Sequence, residues 1–199
     1  MGAEWERAPR LRRWPNALLD AFLRLACGVD VEGLAHLPET GPAIIAAAPH
    51  TAYLDGPLLA VAAAPRRCVW ALTKAEVFKV PVLGRFLRRV GTIALDRRGD
   101  LKAMRAALEL LENGGCLLVF PEGTRSKAGA PGRAKAGVGF LAARSRAPVV
   151  PARLLGVARF PRERLGVRFG APQRLADGDA DRDACQRFAD GIMARAILL

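Results

Sequence analysis

From Gly28 onward, short apolar runs alternate with amphipathic stretches, and glycine, proline or a capping residue marks most of the switches between them. This alternation constrains the fold more than any other property of the chain. Runs such as Ala43–Ala48 and Cys116–Phe120 carry no polar residue at alternate positions. A strand of that kind has to be covered on both faces, which is the condition of a parallel sheet lying between helices. The expected strands are Val29–Leu34, Ala43–Ala48, Cys68–Thr73, Thr92–Leu95, Cys116–Phe120, Val149–Leu154 and Val167–Phe169. The expected helices are Leu58–Ala64, Val80–Arg89 with Pro81 in its first turn, Asp100–Glu112 stopped by Asn113-Gly114-Gly115, residues 134–145, and Asp181–Leu198. The pattern predicts an α/β fold: one domain over residues 29–199, with a mostly parallel central sheet covered by helices. A chain of 199 residues that is 51% hydrophobic has enough apolar material for such a core.

Residues 1–28 read as a distinct basic segment with an N-terminal amphipathic helix. Asn16 caps a stretch with an apolar band of Leu18, Leu19, Phe22, Leu23, Leu25 and Ala26, and Gly28 ends it. The basic flank with Trp5 and Trp14 suits a bilayer interface. A helix docked on the protein's own core has the same periodicity. No signal peptide is expected, and no apolar run approaches the roughly 20 residues needed to cross a bilayer. The membrane reading is therefore peripheral, at the cytoplasmic face.

Charge is lopsided, with Lys+Arg 31 against Asp+Glu 19 and a net charge of +12. Residues 66–105 hold eleven basic and three acidic side chains, and residues 121–168 hold eleven basic and two acidic. These stretches account for the whole excess, and they favour anionic partners: phosphorylated small molecules, anionic membrane surfaces or nucleic acid. Nucleic acid is disfavoured, because only 6% of the residues are aromatic, one of them tyrosine, and no RNA- or DNA-binding signature is present. Cys27, Cys68, Cys116 and Cys185 are widely spaced, which argues against both a zinc site and a disulfide framework, and no metal is expected. Cys68 and Cys116 open apolar runs and read as small buried residues.

In an α/β sheet, sites collect beyond the carboxyl ends of the strands. His50 follows one expected strand, Lys74 a second, Asp96-Arg97 a third and Glu122–Arg125 a fourth. His50 has Asp55 five positions on. On a continuous helix, that spacing turns two side chains about 140° apart. The pair can meet only if His50 lies in the turn before the helix and Asp55 in its first turns. Asp55 would then accept from one imidazole nitrogen and fix the tautomer, leaving the other as a general base. The segment Phe120-Pro121-Glu122-Gly123-Thr124-Arg125-Ser126 ends a strand in a sharp turn whose backbone N–H groups can converge on an anion, and Arg125 adds a planar fork suited to phosphate. Lys135 is a further cation at a helix start. His36, the other of the two histidines, has no acidic partner at useful spacing and reads as a surface residue.

Together these segments resemble the glycerolipid acyltransferases of the lysophosphatidic acid acyltransferase (PlsC-like) family. His50-x4-Asp55, Gly91–Arg97, Phe120–Ser126 and Val149–Ala152 match the family's blocks in the family's order, and Thr73–Phe78 is similar to its Lys-Glu-Leu-Phe segment. The resemblance implies that His50 takes the proton from a glycerol hydroxyl as that oxygen attacks an acyl thioester, with Asp55 orienting the ring. It implies that Glu122, Gly123, Thr124 and Arg125, with Lys74 and Arg97 nearby, hold the phosphate of a lysophosphatidic acid acceptor. It implies acyl-CoA or acyl-ACP as co-substrate and no further cofactor, with phosphatidic acid as the product. At the first block the family usually reads Asn-His-x-Ser. Pro49 and Ala52 stand in its place here, so another lyso-lipid acceptor (a lysophospholipid, ornithine lipid or glycolipid) is the alternative within the fold. A thioesterase, or a non-catalytic basic module for membrane or nucleic acid, would be readings of a different class.

Overall fold

The computed structural model describes residues 17–74, 92–95, 100–125, 132–176 and 181–199. Its described strands form one seven-stranded sheet. In chain order the strands are β1 (Val29–Glu32), β2 (Ala43–Ala48), β3 (Trp70–Lys74), β4 (Thr92–Leu95), β5 (Cys116–Val119), β6 (Val149–Leu155) and β7 (Leu165–Phe169). They lie side by side as β1-β7-β6-β2-β5-β3-β4. Every pairing is parallel except β6 with β7, so β1 and β7 run against the other five strands. The described helices are α1 (17–27), α2 (Asp55–Ala63), α3 (Asp100–Glu112), α4 (Gly137–Ser145) and α5 (Arg182–Leu198).

The central strand β2 explains why the sheet is covered twice. All six of its residues are buried. Ala43, Ile45 and Ala47 pack into one core with Leu23 of α1 and with Leu58, Leu59, Ala62 and Ala63 of α2. Ile44, Ala46 and Ala48 face a second core with Leu110 and Leu111 of α3, Val138 and Leu141 of α4, and Ile192 and Met193 of α5. Alternation along the strand thus sends successive side chains to opposite layers, both of them apolar. Small residues let helices within one layer approach. A Cβ built on Gly139 of α4 would stand 2.2 Å from the Cys185 carbonyl of α5, so only glycine fits at this helix crossing.

The expected α/β architecture is the one observed, with local shifts. The helix expected from Leu58 starts earlier, at Asp55. Gly56-Pro57 resembles a break in the sequence, but a proline in a first turn gives up an N–H that has no intrahelical acceptor. The helix expected from residue 134 starts instead at Gly137. β1 ends at Glu32, where Gly33 takes a positive φ and leads into a 3-10 turn over Leu34–His36. Asp181 caps α5 by accepting the Ala184 N–H at 2.6 Å. The expected helix Val80–Arg89 lies outside the described residues.

Several arginines of the basic stretches serve the fold itself. Arg67 reaches the carbonyls of Pro38, Gly41 and Gly114, tying three loops together. Arg66 binds the Leu37 carbonyl, and Arg153 and Arg168 take the carbonyls of Ile197 and Leu199 at the end of α5. All four cysteines are free. Cys116 is buried as expected, and burial pushes its thiol up to about 12, so it is inert at neutral pH. Cys68 is only half-buried.

Candidate functional site

The carboxyl ends of β2 and β5 are neighbours, and the two sequence segments singled out above leave the sheet there side by side. After β2, the chain passes through Pro49 and reaches His50 in the turn before α2, and Asp55 is the first residue of that helix. This is the arrangement that the five-residue spacing requires. His50 Nδ1 lies 2.8 Å from Asp55 Oδ2. The same oxygen accepts the N–H groups of Thr51 at 2.6 Å and Ala52 at 2.8 Å. Asp55 therefore closes the turn and orients the imidazole at once. A carboxylate is acceptor-only, so its partner Nδ1 carries the proton and the lone pair of the neutral ring is on Nε2. Asp55 is fully buried, and its Oδ1 has no hydrogen-bond partner among the described residues. The His50 side chain keeps 20% of its surface.

Two contacts cross from the β5 side. Phe120 stacks on the His50 ring, with centroids 3.9 Å apart and planes 16° from parallel. Glu122 accepts the His50 backbone N–H through Oε1 at 2.7 Å and the Gly132 N–H through Oε2 at 3.0 Å. The resemblance assigned Glu122 to the phosphate. Its carboxylate is buried, with both oxygens on backbone donors.

Beyond Glu122 the turn matches its sequence. Gly123 has φ 70°, in the left-handed region that favours glycine, and its N–H returns to the Phe120 carbonyl at 2.9 Å. A Cβ on Gly123 would meet Lys135 Nζ at 2.7 Å, so the ammonium group lies directly against this turn. The Lys135 backbone N–H is held by the Pro121 carbonyl at 2.9 Å. Thr124 is exposed. Arg125 stacks its guanidinium 3.7 Å over the Tyr53 ring and donates to the Tyr53 hydroxyl at 2.9 Å. Lys74 ends β3, beside β5 and at the same edge of the sheet, and its side chain is outside the description. Arg97 lies outside the described residues.

The structure thus brings together His50, Asp55, Glu122, Gly123 and Lys135. Arg125 joins them through Tyr53, a residue with no signal of its own in the sequence. Phe120 as a platform for the ring was also missed, because that pairing depends on β2 and β5 being neighbours. His36 Nδ1 donates to the Phe169 carbonyl, 2.9 Å away, and so has a structural partner. Among the described residues, no group of three or more His, Cys, Asp or Glu side chains is gathered for a metal ion, and no helix is long and apolar enough to cross a membrane.

Known proteins resemble this chain in sequence and in fold. The chain is 31% identical over 134 residues to a chloroplastic 1-acyl-sn-glycerol-3-phosphate acyltransferase of Brassica napus; the match covers 65% of this chain and 38% of that protein. It is 28% identical over 164 residues to the 1-acyl-sn-glycerol-3-phosphate acyltransferase of Bacillus subtilis, covering 80% of both chains. Against the plant relatives the chain spans less than two fifths of their length. The fold is that of the 1-acyl-sn-glycerophosphate (LPA) acyltransferase, PlsC, from Thermotoga maritima, with a TM-score of 0.71, 24% identity, and coverage of 94% of this chain and 80% of that one. The family profile named Acyltransferase matches residues 28–155, from the start of β1 to the end of β6 and across both candidate segments, and the chain belongs to that family.

Proposed function

We propose that this protein transfers a fatty acyl group from an acyl thioester, on CoA or an acyl carrier protein, to the free hydroxyl of lysophosphatidic acid, forming phosphatidic acid for phospholipid synthesis. The observation that carries the proposal is the His50–Asp55 pair, 2.8 Å apart and next to a Gly-turn with Lys135 against it. His50 Nε2 accepts the hydroxyl proton as the oxygen attacks the thioester carbonyl. The new C–O bond forms, the C–S bond breaks, and the imidazolium returns its proton to the departing thiolate. The buried Asp55 carboxylate stabilises the imidazolium in between. The acceptor's phosphate binds at the turn of Gly123 and Thr124 with Arg125, and Lys74 and Arg97 add charge from the neighbouring strand ends. Replacing Arg125 by alanine is expected to raise the KM for lysophosphatidic acid about tenfold or more with little change in kcat, as for the loss of one charge-assisted contact. Steady-state kinetics with varied acceptor measures this.

Pro49 and Ala52, in place of the family's Asn and Ser, favour as a second reading the acylation of a different lyso-lipid by the same chemistry. Mass spectrometry of products from mixed lyso-lipids and acyl thioesters separates the two. Phosphatidic acid as the main product supports the first reading, and acylation of another lyso-lipid in preference supports the second.

The membrane reading also belongs to the proposal. On α1, Leu23 is fully buried, while Leu18, Phe22 and Leu25 are 71%, 59% and 91% exposed at helical spacing. One face of the helix is thus docked, and a second, apolar face is open, beside the basic segment that precedes it. An anionic bilayer on the cytoplasmic side fits that face and the net charge of +12. Burying such side chains contributes about 1.5–3 kcal/mol each. Phe22→Asp with Leu25→Asp is therefore expected to weaken partition onto anionic vesicles by about tenfold or more in a sedimentation assay, with the circular dichroism unchanged.

A further inference from the structure

We propose that Glu122 is a positioning residue for His50, fixing the backbone on which the imidazole turns, rather than a contact of the acceptor's phosphate. The inference rests on the acyl-transfer reading of this site. The last paired residues of the β2–β5 ladder are Ala46 and Val119. Beyond them the two chains diverge, into the Pro49–His50 turn on one side and the Phe120–Gly123 turn on the other. Glu122 carries the connection onward. Its two oxygens take the N–H of His50 at 2.7 Å and the N–H of Gly132 at 3.0 Å. One buried carboxylate therefore joins three segments: the loop after β2, the turn after β5, and the chain that leads into α4. Lys135, three residues past Gly132, is bonded to Pro121 by its own N–H. Hydrogen bonds to a carboxylate are roughly twice as strong as neutral ones, and only a carboxylate offers two acceptor oxygens to two donors.

The imidazole is thereby held from three directions. Asp55 fixes its Nδ1 edge, Phe120 covers one face, and Glu122 fixes its main chain. Asp55 holds the ring at Nδ1 and the residues after it through the N–H groups of Thr51 and Ala52, and the N–H of His50 itself goes to Glu122. Loss of Glu122 would leave the bonds to Asp55 in place and free the backbone pivot, shifting Nε2 relative to a hydroxyl it must reach within hydrogen-bond distance.

The test compares purified wild type, Glu122→Gln and Glu122→Ala with lysophosphatidic acid and an acyl thioester. A misplacement of about 1 Å costs about 10²-fold, so kcat of Glu122→Ala is expected to fall by about that factor with the acceptor KM unchanged. Glu122→Gln keeps one acceptor oxygen and sets its amide N–H against the other donor, and is expected to lie between the two. Hydrogen exchange of the His50 amide gives a readout that needs no turnover: it should accelerate in Glu122→Ala while the His36 amide does not change. A raised acceptor KM with kcat retained would assign Glu122 to the phosphate and overturn the proposal. So would a His50 amide as protected in Glu122→Ala as in the wild type. Absence of acyl transfer in the wild type would remove the acyl-transfer reading, and the amide exchange would still decide whether Glu122 holds His50.

Discussion

Replacing His50 with alanine is expected to lower kcat by about 10²–10⁴-fold, the usual contribution of a positioned general base, with little change in either KM. The fold should survive. Asp55 Oδ2 keeps the N–H groups of Thr51 and Ala52, so the turn into α2 stays closed. Glu122 still accepts the backbone N–H of residue 50, because that bond does not involve the side chain. The local losses are the Nδ1–H bond to Asp55 and the stack on Phe120, the latter about 0.5–1.5 kcal/mol for an aromatic pair. Thermal melting beside the kinetics checks this: a small drop in Tm with a large drop in kcat is the expected combination, and unaltered kcat would remove His50 from the reaction.

Asp55→Asn separates charge from geometry at the same pair. With its carbonyl oxygen in the place of Oδ2, asparagine can still accept from Thr51, Ala52 and His50 Nδ1, so the ring keeps its tautomer. What it lacks is the negative charge that stabilises the imidazolium. Its amide nitrogen would fall where Oδ1 is now, a buried position with no partner among the described residues. An unsatisfied buried group there costs about 1–3 kcal/mol of stability. The expected fall in kcat is about 10²–10⁴-fold, bounded above by the loss seen when a triad carboxylate becomes an amide. Unfolding by urea beside the kinetics distinguishes the two effects. A variant as active as the wild type would mean that the charge of Asp55 plays no part.

The sequence carried the fold because the apolar runs have no polar face. Ala43–Ala48 admits only a strand covered on both sides, and β2 is buried at every position. It also carried the pairing of His50 with Asp55, a local relation set by a turn and a helix start. Relations across the sheet were not legible. Nothing in the chain order says that β5 inserts between β2 and β3, and this adjacency is what brings Phe120 and Glu122 to His50. The resemblance groups Glu122 with Arg125 because both belong to the same short block. Burial and two backbone donors separate them in space: Glu122 faces inward, and Arg125 lies outside on Tyr53. Arg67 shows the same limit for charge, since a basic stretch does not reveal which of its members close loops and which remain for a ligand.

Direct transfer to lysophosphatidic acid assisted by His50 is decided by following thiol release from an acyl thioester with and without the acceptor, and by weighing the intact protein afterwards. Thiol release is expected only when lysophosphatidic acid is present, with phosphatidic acid formed in equal amount and no acyl group on the protein. Thiol release at the same rate without acceptor, or an acylated protein, would contradict direct transfer.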